Sequence, residues 1–261
     1  MLNYSFSLYD LEYFLLIFTR VSCFIFIAPF FSMSNTPRHV RVGLSFFTSL
    51  LLYETMTPAE TAVAYNTVAG YAAVVLKEAV TGLLIGLSAT MCTTIVSLAG
   101  SIVDMETGLA MATVMDPTTK QQTSITGGLY QYTFFLLLIS TGMYRFLLGA
   151  LADTFVLIPV NGAVFHMDSL LSSVVLFMSE YVIIGFRIAL PVFCVMLLLN
   201  PILGVMAKVS PQLNMFAVGI QLKIIVGLSA LFLSVAMLPS AANFIFKEMK
   251  ELMSAFVGGM T

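Results

Sequence analysis

Apolar residues come in long runs along this chain, separated by short polar bursts. The first run covers residues 11–31, and Pro29 marks its end. The loop SMSNTPRHVR follows, with turn formers and two arginines. A shorter run covers 40–53, and an acidic loop with Glu54, Pro58 and Glu60 leads to a third run, 68–103. At 1.5 Å per residue the third run reaches ~54 Å, against a hydrocarbon core of ~30 Å. It must tilt, bend, fold back or project beyond a bilayer. Gly82 and Gly86 in its interior permit a bend or a close helix contact. A fourth helix is expected over 129–151 and a fifth over 170–199, kinked at Pro191. A break is expected at NPILGVMAKVSPQ, which carries Pro201, Lys208 and Pro211. The sixth helix runs from about residue 213 past Pro239 into the tail FKEMKELMSAF. There Lys247, Glu248, Lys250 and Glu251 form a polar side, as in an interfacial or partner-facing helix end. No stretch alternates with a period of two, so the expected fold is all-α: an integral membrane protein of about six long apolar helices, some bent or broken.

Composition supports a bilayer environment. Hydrophobic residues make up 59% of the chain and charged residues 9%, where soluble domains carry ~25% charge. Too few charges exist to clothe the helices of a soluble bundle. The net charge of −2 offers no basic surface for nucleic acid. Cys23, Cys92 and Cys194 all fall inside apolar runs and read as small buried residues. His39 and His166 stand far apart with no ligand-spaced neighbours, so neither a metal nor a cofactor is expected. No phosphate-binding GxxxxGK[ST] motif occurs, and no Ser/Lys, Asp pair or His cluster stands at catalytic spacing. Asp10 and Glu12 stand at the head of the first run, where a cleaved leader wants basic residues, so that run is expected to remain as a helix. Arg38, Arg41 and Lys208 make two loops basic, while Glu54, Glu60, Asp153 and Asp168 make two others acidic. With six spans, the basic loops and their helix ends lie inside and both termini outside.

Arg20, Lys77, Glu78, Arg145, Glu180, Arg187 and Lys223 lie within apolar segments. On insertion scales Arg, Lys or Asp facing lipid costs ~2.5–3.5 kcal/mol. A conduction or proton path is one use for such charges, and interhelical pairing within an assembly is the other. Pairing is preferred, because no acidic cluster resembles a proton relay. Glycines flank several of the charges at helical spacing: Glu78, Gly82 and Gly86; Gly100, Asp104 and Gly108; Gly219, Lys223 and Gly227. Small residues let another backbone approach and shield the charge from lipid. A single copy would leave several of these charges exposed, which argues for a complex.

Several motifs then fall in order: Ala28-Pro29, RVGLS from Arg41, Lys77-Glu78 with the glycines that follow, GSIVDMETGLAMATVMDP from Gly100, and NPILGVMAKVSPQLNMFAVGIQLKIIVGL from Asn200. Together they resemble the FliR family of flagellar type III export-gate subunits and its injectisome counterparts SctT and YscT, over nearly the whole chain. The resemblance implies a subunit of an inner-membrane, flagellar basal-body pore that conducts unfolded polypeptides. It implies FliP-like and FliQ-like partner subunits and an associated FlhB-like protein. It implies one membrane domain with a FliP-like part at 1–165 and a FliQ-like hairpin at 168–256, partly held above the membrane plane. Flagellar use is preferred to injectisome use on overall similarity.

The resemblance also implies that a loop near 106–126 plugs the pore. From spacing alone this segment reads equally as an ordinary connector. Its chemistry suits a plug: Leu109, Met111, Val114 and Met115 fill a lumen adaptably, Gly108 gives a hinge, and Asp116-Pro117 stops the helix. Residues 118–126 are polar and free to move aside. Lys208, Gln212 and Asn214, in the turn before the last helix, are implied at the pore entrance. The rival function is a small-solute or ion carrier. That reading wants paired broken helices, and the first half lacks a match for Pro191 and Pro201.

Overall fold

The computed structural model describes residues 8–33, 36–56, 65, 67–112, 114, 115, 122–210, 212 and 215–261. Among them the fold is all-α apart from a hairpin of two-residue strands, β1 (Val114–Met115) and β2 (Gln122–Thr123), paired antiparallel. The helices are α1 (Leu8–Ile27), α2 (Arg38–Thr55), α3 (Val68–Thr107), α4 (Ile125–Ser140), α5 (Met143–Leu157), α6 (Met167–Val209), α7 (Met215–Ser234) and α8 (Leu238–Gly258). Three stretches are long and apolar enough to cross a membrane: α3, α6, and Ala217–Gly258 across α7 and α8. The bent pair α4 and α5 makes a fourth if it counts as one span.

The expected fourth helix is two helices. Gly142 sits between α4 and α5 with φ +73, in the left-handed region that glycine enters at no steric cost, and the helix breaks there. The expected start at 129 lies one turn too late. Ser124 caps α4 by accepting a hydrogen bond from Gly127 N–H at 2.9 Å. The expected break at Pro201 is also corrected, because α6 runs without interruption through Pro191 and Pro201 to Val209. Each proline removes one N–H from the ladder, but apolar surroundings offer no water to a wholly unwound backbone, so helix continues. Pro211 lies outside the described residues.

The chain divides into two compact units. One is built from residues up to Met91, Gly142–Leu176 and Met249–Thr261; the other is Cys92–Thr141 and Phe177–Glu248. In the first unit, α1 buries Tyr13, Leu16, Ile17, Arg20, Val21, Phe24 and Ile25, a stripe at helical spacing with one cation in its middle. Helix α2 packs on α1 through Phe14 against Phe46 and Tyr53, with ring centroids 5.5 and 6.1 Å apart. The carboxyl end of the chain, expected as an interfacial or partner-facing helix end, packs one side into this unit. Met249, Leu252, Met253, Phe256 and Met260 are buried. Val164 and His166 donate their N–H groups to the carbonyls of Met260 and Gly259, both at 2.9 Å. The apolar side of the tail therefore belongs to the core of this unit, and Lys250 Nζ lies 4.8 Å from the Phe146 ring centroid. In the second unit, Ile95, Ala99 and Ile102 of α3, Tyr130 and Phe134 of α4, Val192 and Met196 of α6, and Ile245 and Phe246 of α8 are buried.

Glycine sets the closest helix contact of the first unit. A Cβ at Gly82 would lie 2.2 Å from the carbonyl oxygen of Arg20, and one at Gly86 would lie 3.1 Å from that of Phe24. Backbone cannot yield as a side-chain tip can, so α1 must move if position 82 is filled. Gly82→Val is expected to lower thermal stability in detergent by at least the ~1–3 kcal/mol of an overpacked core. Gly149 in α5 has no described residue within 4 Å of its missing Cβ, and Gly149→Ala should raise stability by ~0.5–1 kcal/mol. Equal melting temperatures for Gly82→Val and the parent chain would show that α1 is not seated there.

Candidate functional site

Two polar clusters lie inside apolar helices, one in each unit. In the first, Arg20 of α1 and Glu78 of α3 are both fully buried, and Arg20 Nε donates to Glu78 Oε2 at 2.6 Å. The other nitrogens of Arg20 turn to the carboxyl end of α5, where Ile158 O accepts at 2.8 Å. Thr154 O and Pro159 O lie at 3.4 and 3.5 Å, the edge of hydrogen bonding. A cation there meets the carbonyl end of α5 and the negative end of the helix dipole. Phe155 covers the guanidinium, 4.3 Å from ring centroid to Cζ.

The second oxygen of Glu78 accepts from the N–H of Asn161 at 2.8 Å, and Lys77 Nζ donates to the carbonyl of the same Asn161 at 2.8 Å. Asn161 has φ +67 in a turn closed by Gly162 N–H on Pro159 O. Adjacent residues of α3 thus hold both peptide groups of one turn residue. Arg20, Lys77 and Glu78 are legible in the sequence as charges in apolar runs. Asn161 is not, because its backbone and not its side chain makes the contact.

The other cluster closes the neck of the loop between α3 and α4. Asp104 is fully buried on the last turns of α3, and Thr126 is buried at the second position of α4. The Asp104 carboxylate accepts from Thr126 N–H, 3.1 Å to Oδ2 and 3.3 Å to Oδ1, and the Thr126 hydroxyl donates to Oδ1. Among the described residues no cation pairs with Asp104. Its charge rests instead on the amino end of α4, where unpaired N–H groups favour an anion. Ser101 Oγ and Ser124 Oγ lie 3.4 Å apart beside it. One turn earlier, a Cβ at Gly100 would lie 2.2 Å from the Cα of Gly127, so two glycines allow the backbones to touch. Gly108 ends α3 with φ +83 in a helix-terminating left-handed cap. Beyond it come a 3-10 turn over Leu109–Ala112, in which Met111 is 81% exposed, and the β1–β2 hairpin.

The remaining candidates are scattered. Gly227 of α7 faces Thr107, whose Cγ2 would lie 2.4 Å from an added Cβ, while Gly219 touches Leu203 only loosely at 3.9 Å. Lys223, between them, is half-buried and has no partner among the described residues. Arg187 is exposed, with its guanidinium 5.3 Å from the Phe244 ring centroid. Lys208 is exposed at the end of α6, and Gln212 is exposed in the turn after it. Asp116, Pro117 and Asn214 lie outside the described residues, and Val114 and Met115 are described by their backbone alone. Thr126 and Gly127 were within reach of sequence reasoning: a Ser-x-x-Gly start at Ser124 would have placed the first turn of α4 beside Asp104.

The ion pair makes a sharp energetic claim. Removing one partner strands the other in an apolar core, at about 3–5 kcal/mol. Arg20→Met and Glu78→Leu should each lower the melting temperature strongly, and the double variant should be more stable than the sum of the two losses. A double-mutant cycle in detergent measures the coupling, and simple additivity would refute it.

A family described as bacterial export proteins, family 1, matches residues 11–249. The chain is 30% identical over 243 residues to the flagellar biosynthetic protein FliR of Bacillus subtilis (strain 168), covering 92% of each chain. It is 28% identical over 246 residues to the protein of that name from Aquifex aeolicus (strain VF5), covering 93% of each. To that of Escherichia coli (strain K12) it is 27% identical over 245 residues, covering 91% of this chain and 90% of the relative. Match to the family over most of the chain, and to these relatives nearly end to end, makes the chain a member of the bacterial export proteins, family 1, a family of transport proteins and not of enzymes, to which the flagellar biosynthetic protein FliR also belongs.

Proposed function

We propose that the chain is a subunit of a protein-conducting pore in the bacterial inner membrane, that it passes unfolded flagellar subunits, and that the loop near 106–126 closes the pore. The observation that carries this reading is the contrast at the loop's neck. Asp104, Thr126 and the Gly100–Gly127 contact bind the two chain ends tightly, while the loop beyond is held by a two-residue strand pair and presents Met111 to solvent. A gate that opens for a chain of any sequence needs a fixed root and an adaptable tip. Methionine supplies the tip without demanding one packing partner.

The partners of this reading are FliP-like and FliQ-like subunits, with an FlhB-like protein at the entrance. Support comes from the exposed apolar surface of α6 and α7: Leu176, Leu198, Val205, Phe232 and Leu233 are each more than 60% exposed. Such side chains must meet lipid or other chains. The division into a FliP-like part at 1–165 and a FliQ-like hairpin at 168–256 belongs to the same proposal. So does an entrance at Lys208, Gln212 and Asn214.

Deleting residues 109–122 while keeping Gly108 and the neck should leave assembly intact and make the pore conduct small ions, measured as conductance in planar bilayers. Normal assembly with unchanged ion tightness removes the plug. A photocrosslinker at Gln212 should capture an FlhB-like chain or an exporting substrate. Labelling of that position only from the periplasmic side would refute the entrance role.

A further inference from the structure

Arg187 has a need that the chain does not meet. It is exposed, and so are the apolar side chains around it on α6: Val182, Ile183, Phe186 and Leu190. Among the described residues no carboxylate pairs with it, and its guanidinium lies 5.3 Å from the Phe244 ring centroid. A guanidinium on an apolar surface asks for an anion, and a planar fork suits carboxylate or phosphate.

Position narrows the choice. Residues 188–207 contain no charged side chain and are bounded by Arg187 on one side and Lys208 on the other. About 20 apolar residues are what a hydrocarbon core requires. A cation at each end of such a run stands at the depth of lipid headgroups, where long basic side chains extend to the interface. The 43-residue α6 can therefore cross a bilayer with Arg187 at its surface, not at its centre.

The surface beside Arg187 has a matching shape. A recess of about 210 Å³ lies between α6 and the start of α8, walled by Ile184, Ile188, Pro191, Met237 and Leu238, with the Ser240 hydroxyl and Arg187 among its polar groups. A smaller apolar recess continues from it along Ile188, Leu238 and Ala241. The 3-10 turn at Val235–Met237, where α7 gives way to α8, contributes to this wall.

We propose that this recess binds an anionic phospholipid, with the phosphate on Arg187 and Ser240 and an acyl chain along the apolar wall. The site rests on the membrane placement proposed above. A protein partner would also offer an anion, but a carboxylate needs no hydrocarbon slot beside it.

The test uses the full-length chain reconstituted in phosphatidylcholine vesicles with and without phosphatidylglycerol. Phosphatidylglycerol should raise the melting temperature of the parent chain. Arg187→Gln should abolish that rise, and Arg187→Lys should keep most of it. The chain contains no tryptophan, so Leu197→Trp, near the middle of the uncharged run, reports depth through quenching by lipids brominated on their acyl chains. Quenching together with no phosphatidylglycerol effect, or with an effect that Arg187→Gln retains, overturns the lipid site and leaves the membrane placement standing. Absence of quenching overturns both. In cells, a photocrosslinker at Ser240 should trap phospholipid, and a trapped protein chain there would overturn the assignment.

Discussion

Burying an ion pair in an apolar helix bundle constrains everything near it. Arg20 and Glu78 have no water to fall back on, so every donor and lone pair must find a fixed partner. The carboxylate divides its oxygens between the guanidinium and the N–H of Asn161, and the guanidinium divides its donors between the carboxylate and the end of α5. Three separate stretches of chain are tied to one point. The pair also explains the glycines. Gly82 stands one turn after Glu78, and its missing side chain is the space occupied by the carbonyl of Arg20 itself. The residue that carries the charge inward is also the place where the backbones come closest. Low local dielectric strengthens each bond in such a network and makes each missing one more costly.

Helix α3 repeats the device with a different counter-charge. Glu78 is followed by Gly82, and Asp104 is preceded by Gly100, each a carboxylate and a glycine four residues apart on one face. The first carboxylate meets a cation, and the second meets the amino end of α4. Both solutions satisfy a buried anion. They differ in reach: a long side chain pairs Arg20 from a neighbouring helix, whereas Thr126 contacts Asp104 through its own backbone N–H and hydroxyl. Backbone geometry at the second site is therefore part of the binding, and the start of α4 cannot shift without releasing the carboxylate.

Much of this was legible before any coordinates, and the gaps have physical causes. Long apolar runs located the helices because apolar surroundings force backbone to pair with itself. The same force misled the reading of Pro201: proline weakens a helix by one bond, and in α6 that loss does not end it. The corner at Gly142 left a weak signal, since Ser-Thr-Gly between apolar runs reads as a tolerated interruption. Charges inside apolar runs pointed to Arg20, Lys77, Glu78 and Asp104, but composition cannot say which partner each meets. Asn161 contributes only peptide groups, and those carry no residue code. The tail's four charges pointed to an interfacial or partner-facing helix end, and Met249, Leu252 and Phe256 on its other side fill the core.

The hydrogen bonds around the proposed gate also bear on how it can work. At its root, Thr126 gives the buried Asp104 carboxylate two donors, Ser124 caps α4, and Gly100 admits the backbone of Gly127. Each of these contacts is short-range and geometrically demanding, so the root holds one arrangement. Past Gly108, the described structure is a single 3-10 turn and two residue pairs of strand. A two-stranded ribbon of that length is marginal by itself. In the proposed gate, the two residue pairs of this ribbon part while the root keeps its bonds. The boundary between the two regimes falls at Gly108, whose left-handed φ ends α3 and lets the chain leave the helix axis. A bulky residue there would strain the exit through the backbone itself, because Gly108 holds a left-handed φ while no described residue lies within 4 Å of an added Cβ.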